Sequence, residues 1–274
     1  MLKLYYYVSC PYRWWNHRRN LVKGRVPLVL LVYHRIADDE ATPWTISNRK
    51  FLREIRWLQS RFELISLKEA QKRIRINLNI RPCVSITFDD GYADNCERAI
   101  PLLLEERIPC TYFVTLRNVL EGAPFLHDLS HGKSFLPNNL EQLRFMAGEG
   151  IEIGAHSYSH VDLERVTNEQ LYSEVVVAGI RLQEALGYPV TRFAFPFGAY
   201  DNLNPKAFLL AKRAGYEAVC SAYGGYNFPG GDAFHLQRIP VDGCLVRLKN
   251  RATIDPRKIK TNRFVYELAG NSRP

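Results

Sequence analysis

Two adjacent aspartates, Asp89 and Asp90, lie in the stretch SITFDDGY, and two histidines four residues apart, His156 and His160, lie in GAHSYSH. Two neutral imidazoles and one carboxylate make a three-ligand site for a divalent cation, with positions left open for water and substrate; that is the form of a catalytic rather than a structural metal centre. A cation also accounts for the paired carboxylates. It offsets the repulsion that otherwise raises one carboxyl's pKa, so one aspartate ligates while its neighbour stays free to take a proton from water at the ion. Each pair has a plainer reading on its own, since Asp-Gly is a common turn dipeptide and two histidines at this spacing also occur as solvated or core side chains. Their position in the fold separates the readings.

The positioning elements are read from the apolar pattern. VPLVLLVYH (26–34) is a nearly continuous apolar, β-branched run, as a strand covered on both faces would be. NRKFLREIRWLQSRF then sets Phe51, Ile55, Leu58 and Phe62 at helical spacing. Further strands are read at FELISL, CVSITF, CTYFVTL, IEIGAH, TRFAFPF, YEAVCSA and FHLQRIPV, most of them separated by helical segments such as ERAIPLLLEE and NEQLYSEVVVAGIRLQEAL. TNEQ (167–170) has the form of a capping box, and Asn204–Pro205 that of an N-cap followed by a first-turn proline. Gly150, Gly187 and Gly215 stand where helices end. About eight strands alternating with helices predict a single α/β domain with a mainly parallel sheet, either a closed barrel or an open doubly wound sheet. Both architectures put ligands at the carboxyl ends of the strands. Four segments supply reactive groups there: VYHRI (His34), TFDDGY (Asp89, Asp90), GAHSYSH (His156, His160) and RFAFPFGAYD (Arg192, Pro196, Gly198).

Composition bounds the rest. The 274 residues are 46% apolar and 12% aromatic, enough for a substantial core. Six cysteines with no CxxC pairing and no dense spacing argue against a zinc ribbon or a disulfide scaffold and for reduced, packed thiols. No run approaches the roughly 18 apolar residues of a spanning helix, and the first residues lack the pattern of a secretory signal, so a cytoplasmic location is the default expectation. The net charge of +9 concentrates at the ends: residues 1–35 hold seven Lys/Arg and no Asp/Glu, and residues 245–274 hold eight Lys/Arg against Asp255 and Glu267. This divides the chain into a basic aromatic arm (1–25), a domain (26–244) and a basic tail (245–274). The arm, LYYYVSCPYRWWNHRR, fits either a solvated tail or peripheral contact with an anionic membrane at its inner face, where Tyr and Trp sit among the headgroups. No nucleic-acid-binding motif accompanies the charge, so no nucleic acid is expected.

TFDDGY, HSYSH and FAFPFG, in this order and at these separations, resemble the leading motifs of the polysaccharide deacetylases, the NodB-homology group of carbohydrate esterases, over roughly Val26 to Val241. The resemblance implies a distorted (β/α) barrel of about seven strands, one divalent ion, most often Zn²⁺ with Co²⁺, Ni²⁺ or Mn²⁺ as alternatives, and hydrolysis of N-acetyl or O-acetyl groups on sugars. It implies Asp90, His156 and His160 as metal ligands, Asp89 as general base, and the Phe197 backbone N–H as a donor to the oxyanion. Pro196 and Gly198 would shape that loop on the substrate side, with Tyr92 beside them. Two departures stand out. Where many members carry a Leu-x-His general acid, LQRIPV has Arg238; VYHRI instead resembles an exopolysaccharide-deacetylase subgroup in which the early histidine takes that role, which makes His34 the candidate acid, against a structural histidine at a strand end. The arginine expected to pair with the base is either Arg192, four residues before Pro196, or Arg238.

The expected activity is metal-dependent removal of N-acetyl groups from an N-acetylated glycan or lipid-linked saccharide. The alternatives are O-acetyl esters or non-sugar amides as substrates, and a carbohydrate-binding or scaffolding protein of the same fold without turnover. Residues 120–139 read as a loop beside the site. His127 and His131 repeat the four-residue spacing, but with only Asp128 as an acidic neighbour they are expected to face substrate or solvent rather than hold a second metal.

Overall fold

The computed structural model describes residues 1–259 and 262–266. Among the described residues there are eleven strands: β1 (Leu28–Tyr33), β2 (Arg35–Ile36), β3 (Thr45–Ile46), β4 (Glu63–Leu64), β5 (Cys83–Phe88), β6 (Cys110–Val114), β7 (Glu152–Ala155), β8 (Arg192–Ala194), β9 (Ala218–Ser221), β10 (His235–Gln237) and β11 (Ile239–Pro240). Nine form one parallel sheet in the order β10-β9-β8-β7-β6-β5-β1-β11, with β4 alongside the start of β5. β10 and β11 are one stretch of chain interrupted at Arg238. Its first half pairs with β9 and its second with β1, so the stretch joins the two ends of the sheet into a distorted barrel. The expected α/β barrel of about seven staves is what the chain forms.

Each apolar run in the sequence becomes a stave. Alternate residues point in and out, which splits the core in two. Leu28, Leu30, Cys83, Phe113, Ala194, Cys220 and Leu236 form the smaller inner cluster. Val29, Leu31, Tyr33, Val84, Ile86 and Phe88 pack outward with Phe51, Ile55 and Leu58 of the helix Asn48–Gln59. The helix Leu67–Arg75 contributes Leu67, Ala70 and Ile74 to the inner cluster, and its Gln71 amide donates to the carbonyls of Glu217 and Ala233 just before β9 and β10. That helix plugs the amino-terminal end of the barrel. The capping boxes at Thr167/Gln170 and Asn139/Gln142 are formed, and Asn204 caps the helix that Pro205 begins. All six cysteines are free.

Two further features of the fold stand out. Residues 2–22 are a continuous helix, with Pro11 inside it, that packs on the helix Leu245–Ala252. The arm and the described part of the tail therefore belong to the packed body, and residues 260–261 and 267–274 of the tail lie outside the described residues. Secondly, Glu54 sits in the apolar stripe of its helix with no exposed surface. One of its oxygens accepts from the Tyr33 hydroxyl at 3.3 Å and the other has no partner. Burial raises its pKa from 4.5 to about 7, although Tyr33, Arg53 and Lys50 pull the other way. Folding thus takes up a proton between these values, and stability falls as pH rises through this window, by roughly 3 kcal/mol. Glu54→Gln is expected to abolish that slope, so chemical denaturation at pH 5 and pH 8 should give similar midpoints for the variant and a lower midpoint at pH 8 for the parent.

Candidate active site

In-register pairing of β1 with β5, from Leu28 opposite Cys83 to Tyr33 opposite Phe88, sets His34 and Asp89 at the same level just past the two strand ends. The Asp89 N–H donates to the Tyr33 carbonyl and extends the ladder by one bond. Period-two alternation puts Asp89 on the same face as Thr87, and Arg238, from the break between β10 and β11, reaches both. Its Nη1 donates to Thr87 Oγ1 at 3.0 Å and to Asp89 Oδ1 at 2.6 Å, while Nη2 donates to Asp89 Oδ2 at 2.7 Å. This bidentate pair is almost fully buried.

Asp90 turns away from its neighbour through a left-handed backbone, φ +73°. Its Oδ1 faces His156 Nε2 at 3.4 Å and His160 Nε2 at 3.2 Å, and makes no hydrogen bond. His156 lies one residue past β7. Its Nδ1 is 2.9 Å from the Ala194 carbonyl, which can only accept, so Nδ1 carries the proton and Nε2 presents a lone pair toward Asp90. The ligand atoms of the three residues all lie within 4.8 Å of one another. Ligands about 2.0–2.1 Å from a tetrahedral ion stand roughly 3.3 Å apart, the separation between Asp90 Oδ1 and each of the two imidazole nitrogens. A buried, unpartnered carboxylate oxygen facing two imidazole nitrogens at that separation fits a divalent cation.

The turn that carries His160 is built for its position. Ser157 and His160 both have positive φ, and the His160 N–H donates to Ser157 Oγ. Glu174, on a π-helical turn (Ser173–Val177) between two α-helical segments, accepts from the Tyr158 and Ser159 N–H groups and from the Ser159 hydroxyl. Phe197 follows β8 with φ +61°. A Cβ on Gly198 would stand 2.7 Å from the Ala222 backbone nitrogen, so this loop requires glycine there. Of the eight non-glycine residues with positive φ among the described residues, four (Asp90, Ser157, His160 and Phe197) ring this site. At about 1–2 kcal/mol each, that backbone cost is borne by the surrounding packing.

Electrostatics separates the two aspartates. Burial pushes both carboxyls up, yet both end below the usual carboxylate range. Arg238, with His156 and His34, holds Asp89 ionised; His156 and His160 hold Asp90 lower still. The His156 pKa is raised, because the Asp89 and Asp90 charges overcome burial. Burial lowers that of His34 against the pull of Asp90 and Asp89. His34, Asp89, Asp90, His156, His160 and Phe197 open onto one cavity of about 240 Å³. Beside it lies a second cavity of about 450 Å³, which shares His127, His160 and Phe197 with the first.

Two of the residues nominated from the sequence are not at the reacting centre. Arg192 begins β8, at the far end of the strand from Phe197, and its guanidinium pairs with Glu217 at 2.7 Å and Glu152 at 3.4 Å, so Arg238 alone is the partner of Asp89. Tyr92 is fully buried between Phe125 and Phe135, with its hydroxyl donating to Asp128 Oδ2 at 2.8 Å, and it supports the site from behind rather than facing substrate. Sequence reasoning undervalued His127. Its Nε2 is 2.8 Å from the Tyr92 hydroxyl and 3.7 Å from Asp90 Oδ2, and burial takes its pKa down to about 4. His131, one helical turn on, is exposed. Trp44 was not foreseen either: it donates from Nε1 to Asp128 Oδ1 at 3.0 Å and lines the cavity. Arg35 holds the chain after His34 by bonding Asp94 and Asp39 beneath the Phe135 ring. Only the HD pair inside a loop otherwise rich in turn residues marks this cluster in the sequence.

Residues 79–219 match the family model described as polysaccharide deacetylase. The chain is 27% identical over 218 residues to the Bacillus subtilis protein YxkH, which carries a polysaccharide deacetylase name; the match spans 78% of this chain and 71% of that protein. Its fold resembles that of the Streptococcus pyogenes deacetylase PplD (TM-score 0.70, 19% identity, 83% of this chain and 98% of that one). IcaB from Ammonifex degensii is similarly related (TM-score 0.69, 23% identity, 83% and 97%). With the motifs, the barrel and a family match over more than half of its length, this chain belongs to the polysaccharide deacetylase family.

Proposed function

We propose that the protein is a metal-dependent hydrolase that removes N-acetyl groups from the amino sugars of a glycan, releasing acetate and leaving a free amine. The observation that carries this reading is the unpartnered Asp90 oxygen facing His156 and His160, with a second carboxylate, Asp89, held ionised beside it by Arg238. A divalent ion held by Asp90, His156 and His160 would supply a Lewis acid for the amide carbonyl and a lowered pKa for water.

The protein's own groups do the rest. Asp89 keeps a lone pair on each oxygen beyond those that Arg238 occupies, and with it takes a proton from the attacking water. The Phe197 N–H, presented by its strained loop, donates to the oxygen that gains charge as the carbonyl carbon becomes tetrahedral. His34, across the same cavity, gives a proton to the departing amine, and the adjoining larger cavity has room for flanking sugar units. Trp44 and His127 keep that wall of the cavity in place through Asp128.

Acetate release from chitin oligomers or acetylated exopolysaccharide tests the reading. Chelation is expected to reduce the rate at least 100-fold, and Zn²⁺ or Co²⁺ to restore it. Turnover that survives complete removal of divalent ions, verified by elemental analysis, would refute the proposal.

A further inference from the structure

The helix Leu2–Val22 is built inside out. Its packed side carries the polar groups: Arg13 donates to the Asn250 carbonyl at 2.7 Å, to Asn250 Oδ1 at 2.9 Å and to Thr253, and the Tyr5 hydroxyl donates to Asp255 Oδ1 at 2.7 Å. Its outer side carries the large apolar ones. Leu4, Tyr7, Val8, Tyr12, Trp14 and Trp15 are each between 46% and 71% exposed, where a surface helix ordinarily turns such residues inward.

The patch continues past the helix. Asn79 donates its N–H to the Gly24 carbonyl at 2.7 Å, and a Cβ on Gly24 would meet Leu78, so the loop 76–80 lies against the helix's end and adds exposed Ile76, Leu78 and Ile80 to exposed Leu21 and Val22. Basic side chains surround these surfaces: Lys3, Arg18, Arg19, Lys23, Arg25, Arg75 and Arg81 are all exposed, and the first acidic residue of the chain is Asp38. Arg18 stacks over Trp14 at 5.0 Å and Arg19 over Trp15 at 5.5 Å. The two carboxylates beside the loop, Glu63 and Glu69, are both paired with Arg73 at 2.8 Å. Exposed aromatic and aliphatic side chains bordered by cations complement a lipid surface with anionic headgroups, in which such a helix lies flat with its apolar side sunk about 5–10 Å.

We infer that the outer face of the helix Leu2–Val22, together with the loop 76–80, binds this protein peripherally to anionic membranes. No helix among the described residues is long and apolar enough to cross a bilayer, so the attachment is interfacial. It also has a direction. The helix packs beside Val26, Pro27, Pro82 and Cys83, at the beginnings of β1 and β5, whereas the catalytic groups follow the ends of those strands. A six-residue strand is about 20 Å long, so the mouth of the cavity lies roughly a strand length from the attached end of the barrel.

The test is sedimentation of the full chain with phosphatidylcholine vesicles, with and without about 30% phosphatidylglycerol, at low and high salt. The parent protein is expected to sediment with the anionic vesicles and to stay in solution with the neutral ones. Arg18→Glu/Arg19→Glu should weaken binding at least tenfold at low salt. Trp14→Ser/Trp15→Ser should weaken it comparably at both salt levels and remove the vesicle-induced blue shift of tryptophan emission. All four side chains are exposed, with Trp14 at the edge of the cleft beneath the helix, so unchanged melting temperatures serve as the folding control, and if one pair of substitutions fails it, the other decides. Equal partitioning of parent and variants, or no partitioning on anionic vesicles, overturns the inference. So does light scattering that finds a dimer in the parent and a monomer in Trp14→Ser/Trp15→Ser, since a second copy would then be the occupant.

Discussion

Asp89→Asn is expected to lower turnover roughly 100- to 10,000-fold, the usual worth of a general base, while leaving divalent-ion occupancy unchanged. The two effects separate because Asp89 and Asp90 face different partners: one is clamped by Arg238, the other points between two imidazoles. His156→Ala should lose occupancy and turnover together. Removing it takes away one of the three candidate ligand atoms and leaves the Ala194 carbonyl without its donor. Elemental analysis alongside acetate release checks both. An Asp89→Asn enzyme that retains full activity would show that another group takes the proton from water.

The second large effect is on stability. Arg238→Met leaves the Asp89 carboxylate buried without its counter-charge, which typically costs about 3–5 kcal/mol; in a chain of this size the melting midpoint should fall on the order of 10 °C. The direction with pH follows from the depressed Asp89 pKa. The pair stabilises the fold above the ordinary carboxylate range, and that contribution is lost as pH falls through the lowered value, so parent and variant should converge in acid. Arg238→Lys keeps the charge but not the two parallel hydrogen bonds, and should fall between them. Thermal melts at pH 7 and pH 3 measure this. A Met variant as stable as the parent at pH 7 would mean that the carboxyl protonates or finds water instead.

Much of this was legible because strands and reactive groups announce themselves in different ways. CVSITF followed by Asp-Asp-Gly reads as a buried stave ending at a rim, and the eight apolar runs all became strands. Arg238 was harder. Sequence spacing left it level with Arg192, and only the interruption between β10 and β11, where one stretch serves two neighbours, turns it into the barrel. Arg192 is equally buried but lies at the wrong end of its strand, and position along a strand is not set by side-chain type. His127 and His131 share a spacing and both pack against Trp44, but only His127 is drawn inward, by the Tyr92 hydroxyl at 2.8 Å, a tertiary effect. The first helix gave no periodic signal for a core-facing surface, since its packed side is polar.

The π-helical turn at Ser173–Val177 sets a limit on how this family member can vary. Each residue advances an α-helix by about 100°, so deleting one residue here to regularise the winding would swing Glu174 roughly a quarter-turn away from the Tyr158–Ser159 amides that it grips. The interval between Thr167 and Gly187 is therefore fixed in length as well as in polarity. Insertions and deletions that the outer loops absorb freely would, in this helix, unfasten an imidazole some fifteen residues upstream of the change.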